Sequence, residues 1–304
     1  MVVVFGSINL DLIASVDRLP RPGETRIGRS FAMSAGGKGA NQALAATRAG
    51  SDVALFGCVG DDAFAPMALA LLRESGVDLA GVHTIDASTG VALIHVDADG
   101  ENTITVVSGA NARAAAARVP DPVLRRDTVV VMQLETPTAE VEALAKRARA
   151  GGARIVLNAA PAQSLGRELL DCVDVLIVNE HEAKVVAPDI GADGATFVAH
   201  YRNAFRHDVV VSLGARGVLA SSARGAIAVQ PPKVAVVDTV GAGDALVGAL
   251  AAALDRGASW ERAITEGVAA GSLACELHGA QPSLPMRDAI ERCADTIGNE
   301  LRQS

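Results

Sequence analysis

The sequence predicts an α/β protein: a mostly parallel central sheet with helices on both faces, in three layers, and a small separate β-sheet. Three observations carry this. Short β-branched runs alternate with Ala-rich helical stretches along most of the chain. The runs are almost continuously apolar, as strands buried on both faces are. Two segments break the rhythm with the period-two pattern of exposed strands. At 304 residues, half of them apolar, the chain can bury one large core, and residues 1–304 read as a single domain.

In order, Val2–Phe5, Val53–Phe56, Thr128–Met132, Ile155–Leu157, Val175–Val178 and Val209–Val211 read as buried strands. Lys38–Arg48, Ala63–Leu72, Pro137–Arg149 and Thr196–Phe205 read as the helices between them. Val218–Ala220, Ala226–Val229 and Val234–Val237 follow without helices, so the sheet is expected to end in antiparallel strands. Three helices near 243–255, 259–276 and 285–298 close the chain, with Gly271 at a close-packed point of the middle one. The exceptions are 11–34, polar and apolar by turns around Pro20, Pro22 and Gly23, and 90–107, a hairpin with an Asp99-Gly100 turn. Together they are expected to form one small sheet projecting from the main domain, which is either a lid, an oligomer interface or an edge extension.

Lys plus Arg number 27 against 35 Asp plus Glu, a net charge of −8. With a pI near 5.3 and only six Phe, one Tyr and one Trp, the chain has neither the field nor the stacking platforms of a nucleic-acid binder. Cys58, Cys172, Cys275 and Cys293 lie far apart with no Cys-x-x-Cys pair, so they read as buried free thiols of a reducing compartment. The amino terminus lacks a basic n-region and reads as a first strand. No uncharged apolar run approaches the ~18 residues of a membrane span, so a cytoplasmic protein is expected.

The strongest local feature is Asp238-Thr-Val-Gly241-Ala-Gly243-Asp244, which follows an apolar run and opens an Ala/Leu-rich helix. Glycines there allow a tight turn whose N–H groups converge on one point ahead of the helix, an anion site. A carboxylate at Asp244 repels a phosphate unless it has a task, and taking a proton from an attacking hydroxyl is such a task. The simpler reading is an acidic residue favoured by the helix dipole. Gly36-Gly37-Lys38-Gly39-Ala40-Asn41-Gln42 opens another helix, with close backbone approach at the glycines and donors at Lys38 and Asn41. Asn9 and Asp11 leave the first strand on one face. Glu135, Asn179 and Glu182 each follow a strand, where such folds gather ligands.

These residues resemble the phosphofructokinase-B family of carbohydrate kinases over nearly the whole chain. Gly36–Asn41 matches the family's amino-terminal motif and Asp238–Asp244 its carboxy-terminal one. Gly6–Asp11, Pro22–Thr25, Gly100–Ile104, Gly109–Asn111, Gln133–Glu135 and Gly279–Ser283 are similar to its ribokinase branch. The resemblance implies ATP-dependent phosphorylation of D-ribose at the 5-hydroxyl. It makes Asp244 the general base and the amides of Gly241, Ala242 and Gly243 the anion hole. Asn9, Asp11, Gly37, Lys38, Gly39, Asn41 and Glu135 would hold the sugar. Asn179 and the run Ser212, Leu213, Gly214, Ala215, Arg216, Gly217, with Gly243, would hold ATP. Glu182 would organise the water of Mg²⁺ or another divalent cation. K⁺ as activator would sit among Asp238, Val240, Ala274, Leu277, Gly279 and Ser283. Residues 11–34 and 90–107 match the family's small β-sheet lid, which closes over the sugar and in the ribokinase branch also builds a homodimer.

The chain departs from the family pattern in three places. Val240 and Ala245 stand where Thr is common, Asn158-Ala159-Ala160-Pro161 lacks the first proline of Asn-Pro-Ala-Pro, and Gly267 offers no polar side chain to an adenine. Another sugar or nucleoside kinase of the family, and a non-catalytic sugar sensor on the same fold, remain as alternatives.

Overall fold

The first strand explains why a sheet lies in the middle of the molecule. In β1 (Val2–Phe5) every side chain is buried, and they alternate between two cores: Val2 and Val4 join one, Val3 and Phe5 the other. Such a strand needs cover on both faces. The computed structural model describes residues 1–188, 194–205, 207–223 and 225–303.

After β1 come β2 (Asn9–Ser15), β3 (Ser30–Gly36), β4 (Val53–Gly60), β5 (Asp78–Ile85), β6 (Gly90–Val96) and β7 (Asn102–Val107). The remaining strands are β8 (Val129–Met132), β9 (Arg154–Asn158), β10 (Val175–Asn179), β11 (Asp208–Ser212), β12 (Val218–Ser222) and β13 (Gly225–Val229). A nine-stranded sheet runs β13-β12-β11-β10-β9-β8-β1-β4-β5. Its neighbours from β11 to β5 are parallel, and β12 and β13 close it antiparallel. A four-stranded sheet, β3-β2-β6-β7, stands beside it. There β2 and β6 pair in parallel, and β3 and β7 flank them antiparallel.

The helices are α1 (Lys38–Arg48), α2 (Phe64–Ala68), α3 (Ala70–Glu74), α4 (Thr138–Gly151), α5 (Arg167–Leu170), α6 (Glu180–Val186) and α7 (Gly194–Phe205), then α8 (Ala242–Asp255), α9 (Trp260–Ala274), α10 (Ala280–Ser283) and α11 (Arg287–Gln303). One sheet face is covered by α1, α8, α9 and α11, the other by α4, α5, α6 and α7. From Asp244 to Leu254 every residue of α8 is buried. Its small side chains allow this, because α1 and α9 come close: an added Cβ at Gly271 would lie 3.0 Å from the Ala242 carbonyl oxygen.

The predicted layers, the antiparallel edge and the two-part small sheet are all present. Three expectations are corrected, and one strand was not foreseen. Val234–Val237 forms no strand; the segment is largely exposed, and the Val237 and Asp238 N–H groups bond the Cys275 carbonyl instead of a neighbouring strand. The helix expected over Ala63–Leu72 is two short helices meeting at Leu69. Residues 78–85, which carry no buried-strand pattern, form edge strand β5. All four cysteines are free, but only Cys58 is buried. Among the described residues no helix is long and apolar enough to cross a membrane.

Candidate active site

Because β1, β8, β9, β10 and β11 are parallel, their carboxyl ends open on one edge, and the chain leaves each end with a polar residue. Ser7 follows β1 and Glu135 follows β8; Asn158 ends β9, Asn179 ends β10 and Ser212 ends β11. Helices α1 and α8 are also anchored here by their first turns. An added Cβ at Gly39 would lie 2.5 Å from the Gly6 carbonyl carbon, so α1 meets the β1–β2 loop backbone to backbone. Gly241, at φ 81, is the left-handed N-cap of α8.

Asp244 sits in the first turn of α8, 7% exposed. Asn41 Nδ2 donates to its Oδ2 and Gln42 Nε2 to its Oδ1, each at 2.9 Å. Hydrogen bonds to a charged group contribute roughly 1.5–3 kcal/mol each, and each oxygen keeps a lone pair for a further donor. Asn41 Oδ1 is buried with no protein partner, an acceptor suited to a ligand hydroxyl. The amides of Gly241, Ala242 and Gly243 precede this acid, and an added Cβ at Gly243 would meet nothing within 4 Å. The first turn of a helix leaves N–H groups without helical partners; here the Ala242 N–H bonds the Thr239 carbonyl at 3.3 Å, and the open space lies at Gly243.

Around Asp244 the charges alternate. Burial, then the charges of Glu135 and Asp244, push the Asp11 carboxyl up to about 7. Burial opposes the Lys38 ammonium, but Asp244, Glu135 and Glu182 outweigh it and hold its pKa above the ordinary lysine value. Burial raises the Glu182 carboxyl too, against the pull of the Asn179 N–H and of Lys38. Glu135 Oε2 accepts Ser7 Oγ at 2.5 Å and the Lys38 N–H at 3.1 Å, tying the ends of β1 and β8 to α1. Asn9 Oδ1 accepts from Asn111 Nδ2 at 2.7 Å, which fixes the Asn9 amide on the same face of β2 as Asp11.

Sequence-predicted residues thus converge in one place: Asn9, Asp11, Gly37, Lys38, Gly39, Asn41, Glu135 and Asp244. Asn179 and Ser212 pair as register partners on the next strands. Asn179 and Glu182 form a capping box on α6, which takes one Glu182 oxygen and leaves the other. The run Ser212–Gly217 continues from β11 as a turn exposed at Gly214–Arg216, and Arg216 bonds both Glu180 oxygens at 2.7 Å. Asp238 Oδ1 accepts the Val240 N–H at 3.0 Å and Oδ2 the Gly279 N–H at 2.9 Å, so its carboxylate joins the α8 entry loop to the loop before α10. Ala274 is buried, Leu277 exposed, and Ser283 Oγ donates to the Ala280 carbonyl.

The residues without a predicted role are Ser7, Gln42, Asn111, Gln133 and Asn158, which act on other site residues. All five stand in stretches that the sequence already singles out, and only the fold reveals what they touch. A separate concavity of about 850 Å³ lies at the opposite strand ends, around Arg154, Val175 and Asp208. It contains none of these residues.

Fold and site together define a small-molecule phosphotransferase of the α/β class. Residues 1–287 match the family model described as pfkB family carbohydrate kinase. A ribokinase of Haemophilus influenzae is 37% identical over 292 residues, covering 93% of this chain and 95% of that one. The structure of Arabidopsis thaliana ribokinase complexed with ribose and ATP superposes with a TM-score of 0.88 at 31% identity, covering 96% of this chain and 98% of that one. Ribokinase from Thermotoga maritima gives 0.89 at 30% identity, covering 97% and 99%. The chain belongs to the pfkB family of carbohydrate kinases.

Proposed function

We propose that this kinase transfers the γ-phosphoryl group of ATP to the 5-hydroxyl of D-ribose, giving D-ribose 5-phosphate and ADP, with Asp244 as general base. The observation that carries the reading is a buried carboxylate, held by two amides, at the mouth of a helix N-terminus and beside a cluster of hydroxyl-binding groups. The sugar oxygen attacks the γ-phosphorus as its proton passes to a free lone pair of Asp244. The bond to the ADP oxygen breaks, and the electrons leave with ADP. The transition state spreads charge over the equatorial oxygens. The Gly241–Gly243 amides face that charge, with Lys38 nearby. Asn9, Asp11, Asn41 and Glu135 orient the sugar, and Asn179 with Ser212–Gly217 receives ATP.

Among the described residues no group of three or more His, Cys, Asp or Glu could by itself hold a metal ion. That suits Mg²⁺, which keeps several waters and binds through substrate phosphates and one or two carboxylates. The uncommitted Glu182 oxygen would hold its water, and the ion would neutralise phosphate charge when bound. K⁺ would sit in the loops that Asp238 joins, and its binding would stiffen the anion hole. The small sheet would close over the sugar and exclude water.

A coupled assay with ATP and a panel of pentoses, hexoses and nucleosides tests the reading. D-ribose should give the highest kcat/KM and a 5-phosphate product; a preferred nucleoside, or no turnover of ribose, overturns it. Asp244→Asn should lower kcat by about 10²–10⁴ and leave ATP affinity largely intact. Equal rates in K⁺ and in tetramethylammonium, at matched ionic strength, would remove the cation assignment.

A further inference from the structure

We propose that Gln42 is the positioning residue that aims the Asp244 carboxylate, through a buried relay anchored in the central sheet; the inference rests on the reading of Asp244 as base. Gln42 is 0% exposed and touches the base, not the cleft. Its two amide hydrogens go to two acceptors: Asp244 Oδ1 at 2.9 Å and Asn158 Oδ1 at 3.1 Å. Its Oε1 accepts from Gln133 Nε2 at 2.6 Å. Asn158 Nδ2 in turn donates to the Ile177 carbonyl of β10 at 3.3 Å. The amide has a single sense, because turned over it would set its oxygen against two acceptors.

The relay matters because Asp244 lies on a different element from the sheet that presents the substrate groups. A side-chain carboxylate rotates freely about its last bond unless both oxygens are held. Asn41 holds Oδ2, but Asn41 also borders the cleft and has an acceptor available to the sugar. Gln42 holds Oδ1 from behind and is pinned at β8 and β9, so the carboxylate orientation does not depend on whether sugar is bound. A base displaced by about 1 Å loses about 10²-fold in rate, which makes the orientation worth fixing.

The test is steady-state kinetics of Gln42→Met and Gln42→Glu, each also made in the Asp244→Asn background. Gln42→Met keeps the length and removes the donor; kcat should fall about tenfold to a hundredfold with KM for both substrates within about twofold. Gln42→Glu is closer in shape but sets a carboxylate against Asp244, so it should lose more than Gln42→Met. In the Asp244→Asn background the Gln42→Met effect should vanish, because there is no carboxylate left to aim. Gln133→Leu guards against a Gln42 variant that fails to fold. It removes the Gln42 Oε1 contact and a buried oxygen without a partner, touches neither Asp244 nor the cleft, and should lower kcat severalfold with folding intact. Full activity in both Gln42→Met and Gln133→Leu, a rise in KM in place of the kcat loss, or an undiminished Gln42→Met effect in the double variant overturns the proposal. An active Asp244→Asn single variant instead overturns the base reading, and with it this one.

Discussion

Asp11 is an acid of the cleft whose charge depends on conditions near neutral pH. Its carboxyl is raised from 3.8 to about 7 by burial and by the nearby Glu135 and Asp244 charges. In the folded protein it therefore holds a proton that the unfolded chain releases near pH 4. The stability it contributes is complete below that range and is lost as the pH rises through 7. Sugar hydroxyls donating to Asp11 favour its ionised form, so sugar binding should expel a proton wherever Asp11 starts protonated. Calorimetric titration with ribose at pH 6, in two buffers of different ionisation enthalpy, should report net proton release. The release should fade by pH 8 and disappear in Asp11→Asn; buffer-independent heats at pH 6 would contradict it. At this scale the sequence was readable where spacing alone decides geometry. Asn9 and Asp11 share a strand face by alternation, and Asp244 opens a helix. Gln42 and Asn111 were not readable, because their partners lie far away in the chain and nothing local marks a glutamine as a clamp or an asparagine as a support for Asn9.

Between elements, the contact that matters most to the site is α1 against α8, because the proposed base, Asp244, sits on α8 and its two amide donors on α1. Gly248 sets that distance. A Cβ there would lie 2.4 Å from Ala45 Cβ and 2.7 Å from the Gln42 carbonyl oxygen. Alanine would improve helix propensity by about 1 kcal/mol, yet overpacking typically costs about 1–3 kcal/mol and the atoms it meets belong to backbone and short side chains that cannot swing away. Gly248→Ala should therefore lower the urea midpoint and, by parting Asp244 from Asn41 and Gln42, lower kcat as well. Gly243→Ala is the contrasting case: its Cβ would meet nothing within 4 Å, so the fold should be as stable as before or slightly more. A methyl group placed where the proposed reaction brings the phosphoryl group should still cut kcat. If Gly243→Ala loses stability instead, or keeps full turnover, the open space there is not the anion hole. The element pattern in the sequence marked the buried strands well, since strands covered on both faces read as unbroken apolar runs. It misled at Val234–Val237, where the residue types of a strand are present but the backbone turns aside to bond Cys275.

Over the whole molecule, the small sheet is the part the main cores do not stabilise. Its register divides it into two faces. Asp11 pairs with Ser34 and Ala92, and Ala92 with Val106, while Ile13 pairs with Ile94 and that with Ile104; this face lies on the Asp11 side. Leu12 pairs with Met33 and Leu93, and Ala14 with Phe31, on the other. Both faces are apolar and open: Ile104 is 54% exposed and Val106 46% on the first, Phe31 63% and Met33 45% on the second. A sheet of this size with so much uncovered apolar area is marginal by itself. The sugar can cover part of one face only. A second copy laying its own small sheet across the first by two-fold symmetry would cover the rest and hold the sheet over the sugar. On this reading light scattering should give twice the 31.0 kDa chain mass at micromolar concentration. Phe31→Asp with Leu93→Asp should give monomers that keep ATP affinity, because the residues proposed to receive ATP lie at the ends of β10 and β11, but show a raised KM for the sugar. A wild-type protein that is monomeric and fully active under the same conditions would mean that the small sheet closes unaided, and the apolar faces would then need another explanation.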